Sequence, residues 1–211
     1  MIIIGITGSI GMGKTTVSTM LRSLNISVFD SDKEVKDILE NNIDVIKKIE
    51  KKWPEAICSF SKEKKIDKKI LSNKVFNKNS DKKTLEKIIH PVVKEKRKMF
   101  IKENKKSYFV GLDVPLLYET GTHRECDYIL LVNTTRDKQM KRVLARPNMS
   151  EKKFNQINNT QWSFERKKNK KPFLISTSFG KAFSFITVLI YLLIIIFNDK
   201  VYYGKRISSR H

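Results

Sequence analysis

Cysteine is scarce in this chain: 211 residues contain only Cys58 and Cys126. They lie far apart and form no C-x-x-C pair, which argues against a disulfide framework. His90, His123 and His211 are just as scattered, so the sequence holds no zinc-ligand spacing. With only eight glycines and five prolines there is no low-complexity linker, and no internal repeat is seen. No basic leader precedes Ile2-Ile3-Ile4-Gly5, so the first residues are read as a strand and not as a signal peptide; a reduced, cytosolic setting is the expectation. Acidic residues are few, 22 against 43 basic ones, for a net charge of +21. The lysines are spread along almost the whole chain, however, where a nucleic-acid footprint needs a focused patch. They are read as a solvated surface, with a polyanion patch or an anionic membrane as the lesser alternatives; no specific nucleic-acid partner is expected.

Long apolar runs are missing until Ala182–Phe197, which is nearly all apolar between Lys181 and Asp199-Lys200. It falls short of the ~18–20 residues of a membrane span and contains Ser184, Thr187 and Tyr191. A buried C-terminal helix covering a sheet is the expected structure. Membrane contact by this stretch is the less favoured reading, and an aberrant tail the third.

What is present alternates. Short apolar runs at Ile2–Thr7, Ser27–Phe29, Tyr108–Leu112, Tyr128–Val132 and Phe173–Ile175 are read as strands. Between them fall helical spacings over Gly13–Leu24, Glu34–Lys52 (ended by Trp53-Pro54), Thr84–Lys105 (with a kink expected at His90-Pro91) and Arg136–Ala145. A turn is expected at Pro147-Asn148, then a helix starting at Ser150-Glu151. The lysine-rich stretch from about Ser59 to Asn79 places Ile66, Ile70, Leu71, Val75 and Phe76 at helical intervals. The class is α/β with a parallel sheet, and the passage between the second and third strands is read as a helical insertion.

The chemistry is carried by Gly8-Ser9-Ile10-Gly11-Met12-Gly13-Lys14-Thr15, which fits G-x-x-x-x-G-K-[ST] at every fixed position. Glycines there let successive backbone N–H groups surround phosphate oxygens, and the following helix turns its positive end to the same anion. In such a loop Lys14 neutralises the β- and γ-phosphates of ATP and the Thr15 hydroxyl ligates Mg²⁺. Asp113 ends an apolar strand, where it holds Mg²⁺ or caps a turn. Asp30 and Asp32 follow the second strand and serve either as a base and metal partner or as helix caps. Arg142 and Arg146, four apart, fit equatorial phosphate oxygens or a solvated helix face. His90, alone before a proline, is more often a structural or substrate-contacting residue than a general base. A GTP switch would need Asn-Lys-x-Asp, which does not occur.

Together these motifs resemble the dephospho-CoA kinases. The segments in question are Ile6 to Thr16, Val28-Phe29-Asp30-Ser31-Asp32, Ile88-Ile89-His90-Pro91, Asp113-Val114-Pro115-Leu116-Leu117-Tyr118-Glu119, Gln139-x-x-Arg142-x-x-x-Arg146, and Gln161 with Lys167. The resemblance covers roughly residues 1–180, with a helical acceptor-binding insertion at about 34–105 and a lid at about 136–171; residues 181–211 form an atypical apolar helix and basic tail. It implies a three-layer P-loop fold and transfer of the ATP γ-phosphate to the ribose 3′-hydroxyl of dephospho-coenzyme A, the last step of coenzyme A synthesis. It further implies Asp32 as the base, Asp30, His90 and Pro115–Glu119 on the acceptor side, and Arg142 and Arg146 as lid residues. Lys171-Pro172 stands where the family usually has Ala-Asp. The runner-up reading is another nucleoside monophosphate or small-molecule kinase on the same core.

Overall fold

The computed structural model describes residues 1–58, 64–147 and 149–208. The expected turn residue Asn148, the start of the lysine-rich stretch at 59–63, and His211 lie outside the described residues. The elements run β1 (Ile2–Thr7), α1 (Lys14–Ser23), β2 (Ser27–Asp30), α2 (Ser31–Asn41), α3 (Ile43–Lys52), β3 (Ile57–Cys58), β4 (Lys65–Ile66), α4 (Lys68–Asn77) and α5 (Asn79–Glu103). They continue with β5 (Phe109–Asp113), β6 (Tyr128–Asn133), α6 (Arg136–Leu144), α7 (Glu151–Asn159), α8 (Phe164–Lys168), β7 (Phe173–Ser176) and α9 (Lys181–Ser208). The chain divides into two compact bodies, residues 1–28 with 106–211, and residues 29–105.

The first body is built on the sheet, whose strand order is β2-β5-β1-β6-β7. Strand β1 pairs in parallel with β5 (Ile4 opposite Gly111) and with β6 (Ile6 opposite Leu130), and β6 pairs in parallel with β7. Non-consecutive neighbours require crossovers, and crossover helices cover both faces of such a sheet. That is why β1 reads as a continuous apolar run: Ile4 and Ile6 are fully buried, as are Val17 and Leu21 of α1 and Ile175 of β7. Burying each such side chain is worth about 1.5–3 kcal/mol. The central strand is packed so closely that a Cβ on Gly5 would lie 2.8 Å from Cys126 Sγ.

Helix α9 packs on α1 and β7 through Val188, Leu192 and Ile195, all buried. Ser184 Oγ donates to Ser176 O and Gly180 O, both at 2.9 Å, Tyr191 Oη donates to Leu174 O at 3.0 Å, and Tyr191 stacks on Phe173. The expectation of a helix covering the sheet holds for this face. It fails for the other, where Phe183, Ile186, Ile190, Leu193 and Phe197 are exposed. A run that is apolar all round gives no signal of which face is to be covered.

The second body is helical. The helix expected over 34–52 is two helices, because Asn42 takes an extended conformation and caps α3, its side chain accepting from Val45 N at 3.0 Å. Ile66, assigned by spacing to a helix, lies instead in β4, which pairs antiparallel with β3 at Ile57. Helix α5 runs through Pro91 without ending, and Lys96 on it bridges Glu34 and Asp37 of α2. Ile38, Val45, Ile49, Trp53, Ile89 and Val93 are buried, and Phe29 packs on Phe100 with ring centroids 5.5 Å apart.

Candidate functional site

The loop joining β1 to α1 is shaped by backbone conformations that side chains resist. Gly11 has φ +79° and Gly13, capping α1, φ +95°, both in the left-handed region. Space is closed as well: a Cβ on Gly11 would stand 2.5 Å from Val143 Cγ2, and one on Gly13 2.9 Å from Thr177 Oγ1. Thus the loop is fixed by what surrounds it. Gln161 Oε1 accepts from Ile10 N at 3.2 Å, and Gln139 Nε2 donates to Ile10 O at 2.8 Å. Thr177 Oγ1 donates to Met12 O at 2.8 Å, and Met12 N donates back to Ser9 O at 3.2 Å.

Arg142, on α6, donates through Nη1 to Thr177 Oγ1 at 2.8 Å and to Gly11 O at 3.4 Å, and through Nη2 to Thr177 O at 3.1 Å. Its guanidinium therefore braces the loop. Arg146 does not share its helix face as the spacing suggested, because α6 ends at Leu144 and Arg146 is exposed in the turn that follows.

Lys14, first residue of α1, extends to the end of β5 and pairs with Asp113, whose other oxygen accepts from Ser18 Oγ at 2.5 Å. Asp113 is 1% exposed. A buried carboxylate survives only if its charge is answered, and here an ammonium and a hydroxyl do so. Thr15 is exposed beside Lys14, and Thr16 is half-buried. In the second body, Asp30 caps α2, its Oδ1 accepting from Lys33 N at 3.0 Å, while Asp32 sits exposed in the first turn. His90 is exposed on α5.

The segment after β5 turns inward. Thr7 Oγ1 donates to Pro115 O at 3.1 Å, tying the ends of β1 and β5 together. Pro115 and Leu116 are half-buried, whereas Leu117 and Tyr118 are buried and Tyr118 stacks on Trp162 at 5.8 Å. Arg166 lies over the opposite partner ring, its Cζ 3.6 Å from the Trp162 centroid. Glu119 Oε1 accepts from Trp162 N at 2.7 Å and lies 3.1 Å from the fully buried Lys167 Nζ. Burial pushes the Tyr118 hydroxyl up to about 12, with Cys126 and Glu119 adding to it, so the phenol stays neutral. Burial also holds the Lys167 ammonium below the ordinary lysine value, with Glu119 pulling part of the way back. Desolvation is the larger effect because Lys167 is fully buried, and among the described residues the Glu119 carboxylate is the group that answers it.

Two results are expected from this pair. Glu119→Gln leaves a buried ammonium unanswered and should cost about 3–5 kcal/mol of stability in urea unfolding. Since the folded pKa of Lys167 is lowered, the unfolded chain binds that proton more tightly. Stability should therefore rise with pH between the lowered folded value and 10.5, and Lys167→Met should flatten that rise.

Comparison with known proteins agrees with this geometry. A family model described as dephospho-CoA kinase matches residues 2–180. The chain belongs to the dephospho-CoA kinase family. The dephospho-CoA kinase of Bartonella henselae is 40% identical over 177 residues, covering 83% of this chain and 88% of that one. That of Zymomonas mobilis is 36% identical over 175 residues, covering 83% and 87%. The solved structure of the dephospho-CoA kinase from Campylobacter jejuni superposes with a TM-score of 0.65 at 27% identity, over 92% of this chain and 96% of that one. The protein is thus an ATP-dependent kinase on the P-loop α/β fold, and the last step of coenzyme A synthesis is the activity of its family. As a dephospho-CoA kinase the chain has its loop held also by Thr177 and its Asp113 answered also by Ser18, neither of which is a fixed position of the loop motif. Only the ordinary preference of Ser and Thr for backbone hydrogen bonds could have pointed to them.

Proposed function

We propose that this chain transfers the ATP γ-phosphoryl group to the ribose 3′-hydroxyl of dephospho-coenzyme A, with Asp32 as the base. The observation that carries the reading is the braced loop from Gly8 to Thr15, with Lys14 at its end reaching the buried Asp113. Such a loop turns backbone N–H groups and a helix N-terminus towards an anion, which supports ATP binding there. Lys14 then exchanges its carboxylate partner for the β- and γ-phosphates. Asp30 holds its carboxylate on the α2 cap, and Asp32, exposed in the first turn of that helix, is the candidate to accept the hydroxyl proton.

The Thr15 hydroxyl and the Asp113 carboxylate are hard oxygen donors beside that loop, which suits Mg²⁺. When bound it would neutralise charge on the transferring phosphoryl group. Arg142 holds the loop, and Arg146, free of the helix, reaches the phosphates on lid closure, which also excludes water. We assign His90 and the Pro115–Glu119 segment to the acceptor side. Among the described residues Tyr118 Oη, Glu119 Oε2 and His123 Nδ1 are buried without hydrogen-bond partners, a costly state that a polar partner relieves.

An acceptor panel tests the assignment. ADP release in the presence of ATP and Mg²⁺ should depend on dephospho-CoA and stay at background with CMP, AMP or shikimate. Equal rates on a nucleotide acceptor would overturn it.

A further inference from the structure

The outer face of α9 has no use in phosphoryl transfer, yet it gathers more exposed large apolar side chains than any other element among the described residues. Phe183, Ile186, Ile190, Leu193 (65% exposed) and Phe197 (69%) succeed one another at alternating spacings of three and four residues, forming one stripe along the helix. No charged residue falls between Lys181 and Asp199. A contiguous apolar face of this kind marks a docking surface and not ordinary surface scatter. We propose that this face is a monotopic contact for an anionic lipid bilayer, on which the helix lies in the plane of the surface.

Three observations select that occupant. First, the stretch Lys181–Asp199 has a mean hydropathy of 2.1, enough for a bilayer, but its other face is committed to the protein. Val188, Leu192 and Ile195 are packed in the core with Ile4, Ile6 and Val17, while Ser184 and Tyr191 are hydrogen-bonded to the β7 backbone. Spanning would strip that core, whereas lying flat leaves it intact. Second, a second copy of the chain is a poor match. Flanking positions Thr187, Leu189, Ile194 and Ile196 offer no charges with which a partner helix could be paired and oriented, and each copy brings a net charge of +21. Third, that charge is complementary to an anionic surface. Lys181 precedes the stripe, Lys138 donates to Ser178 O beside its start, and the sequence places Lys200, Lys205, Arg206 and Arg210 beyond its end. Aromatic residues near both ends of an apolar face with basic flanks are the composition of an interfacial helix.

The test uses the full-length protein and sedimentation with vesicles of phosphatidylcholine alone or of equal parts phosphatidylcholine and phosphatidylglycerol. The protein should pellet with the anionic vesicles, remain in solution with the neutral ones, and be released by added salt. Ile190→Glu with Leu193→Glu should lower the bound fraction by about tenfold or more while ADP release stays unchanged. Phe183→Glu with Phe197→Glu provides a second, independent removal of the stripe should the first pair disturb folding by circular dichroism. Absence of binding to anionic vesicles overturns the proposal, as does undiminished binding by both variants. A concentration-dependent dimer in sedimentation velocity that these substitutions abolish also overturns it, because the face would then belong to a second copy.

Discussion

Lys14→Ala is expected to lower dephospho-CoA-dependent ADP release by about a thousandfold, since one fixed cation on a transferring phosphoryl group is worth roughly that much. The structure adds a second expected result. Asp113 is 1% exposed and its charge is answered by Lys14 and Ser18, so removing the ammonium leaves a buried carboxylate with a hydroxyl alone. Unfolding in urea should show a loss of about 3–5 kcal/mol. Lys14→Ala with Asp113→Asn should recover part of this stability, because the buried group then carries no charge, but recover no activity. A Lys14→Ala protein that turned over normally would remove the loop from the mechanism. One that lost activity but kept full stability would mean that Lys14 and Asp113 are not paired before ATP arrives.

Asp32→Asn is the second large effect. Loss of a general base costs about 10²–10⁴ in rate, and Asn keeps the volume of Asp without its proton affinity. The fall should appear in kcat, with ATP affinity by calorimetry close to that of the unmodified protein. Asp30→Asn is the informative partner. Asp30 accepts from Lys33 N, and asparagine is as good a cap as aspartate, so this change should cost little stability and far less rate than Asp32→Asn. If the Asp30 variant proves the more damaged in kcat, the base has been assigned to the wrong carboxylate.

Much of the loop was legible in the chain itself. Gly11 and Gly13 take positive φ, and a conformation that only glycine adopts easily leaves its mark as glycine at fixed spacing. Asp113 was legible for a related reason, since an apolar run buried on both faces ends in a charge where the strand leaves the sheet. The supports of the loop were not. Gln139, Gln161 and Thr177 reach it from 129, 151 and 165 residues away, and no spacing rule encodes contacts at that range. Arg146 shows the limit of helical spacing: four residues from Arg142 means one face only while the helix lasts, and it ends at Leu144. Asn42 was a cap signal inside an otherwise periodic stretch, and periodicity concealed it.

By itself, the sequence determined that a strand, a glycine loop and a helix follow one another at the amino end, because burial and backbone conformation restrict which residues serve there. It likewise determined the alternation that makes the sheet parallel, since apolar strands separated by helical spacings cannot pair as hairpins. Only the tertiary structure decided which partners hold the loop still and that Lys14 answers Asp113. It alone decided, too, that α9 buries one apolar face and leaves the other outside. The physical reason is common to all three. A side chain's local pattern states what it needs, a charge answered or a surface covered, but which distant group meets that need is settled only when the chain closes on itself.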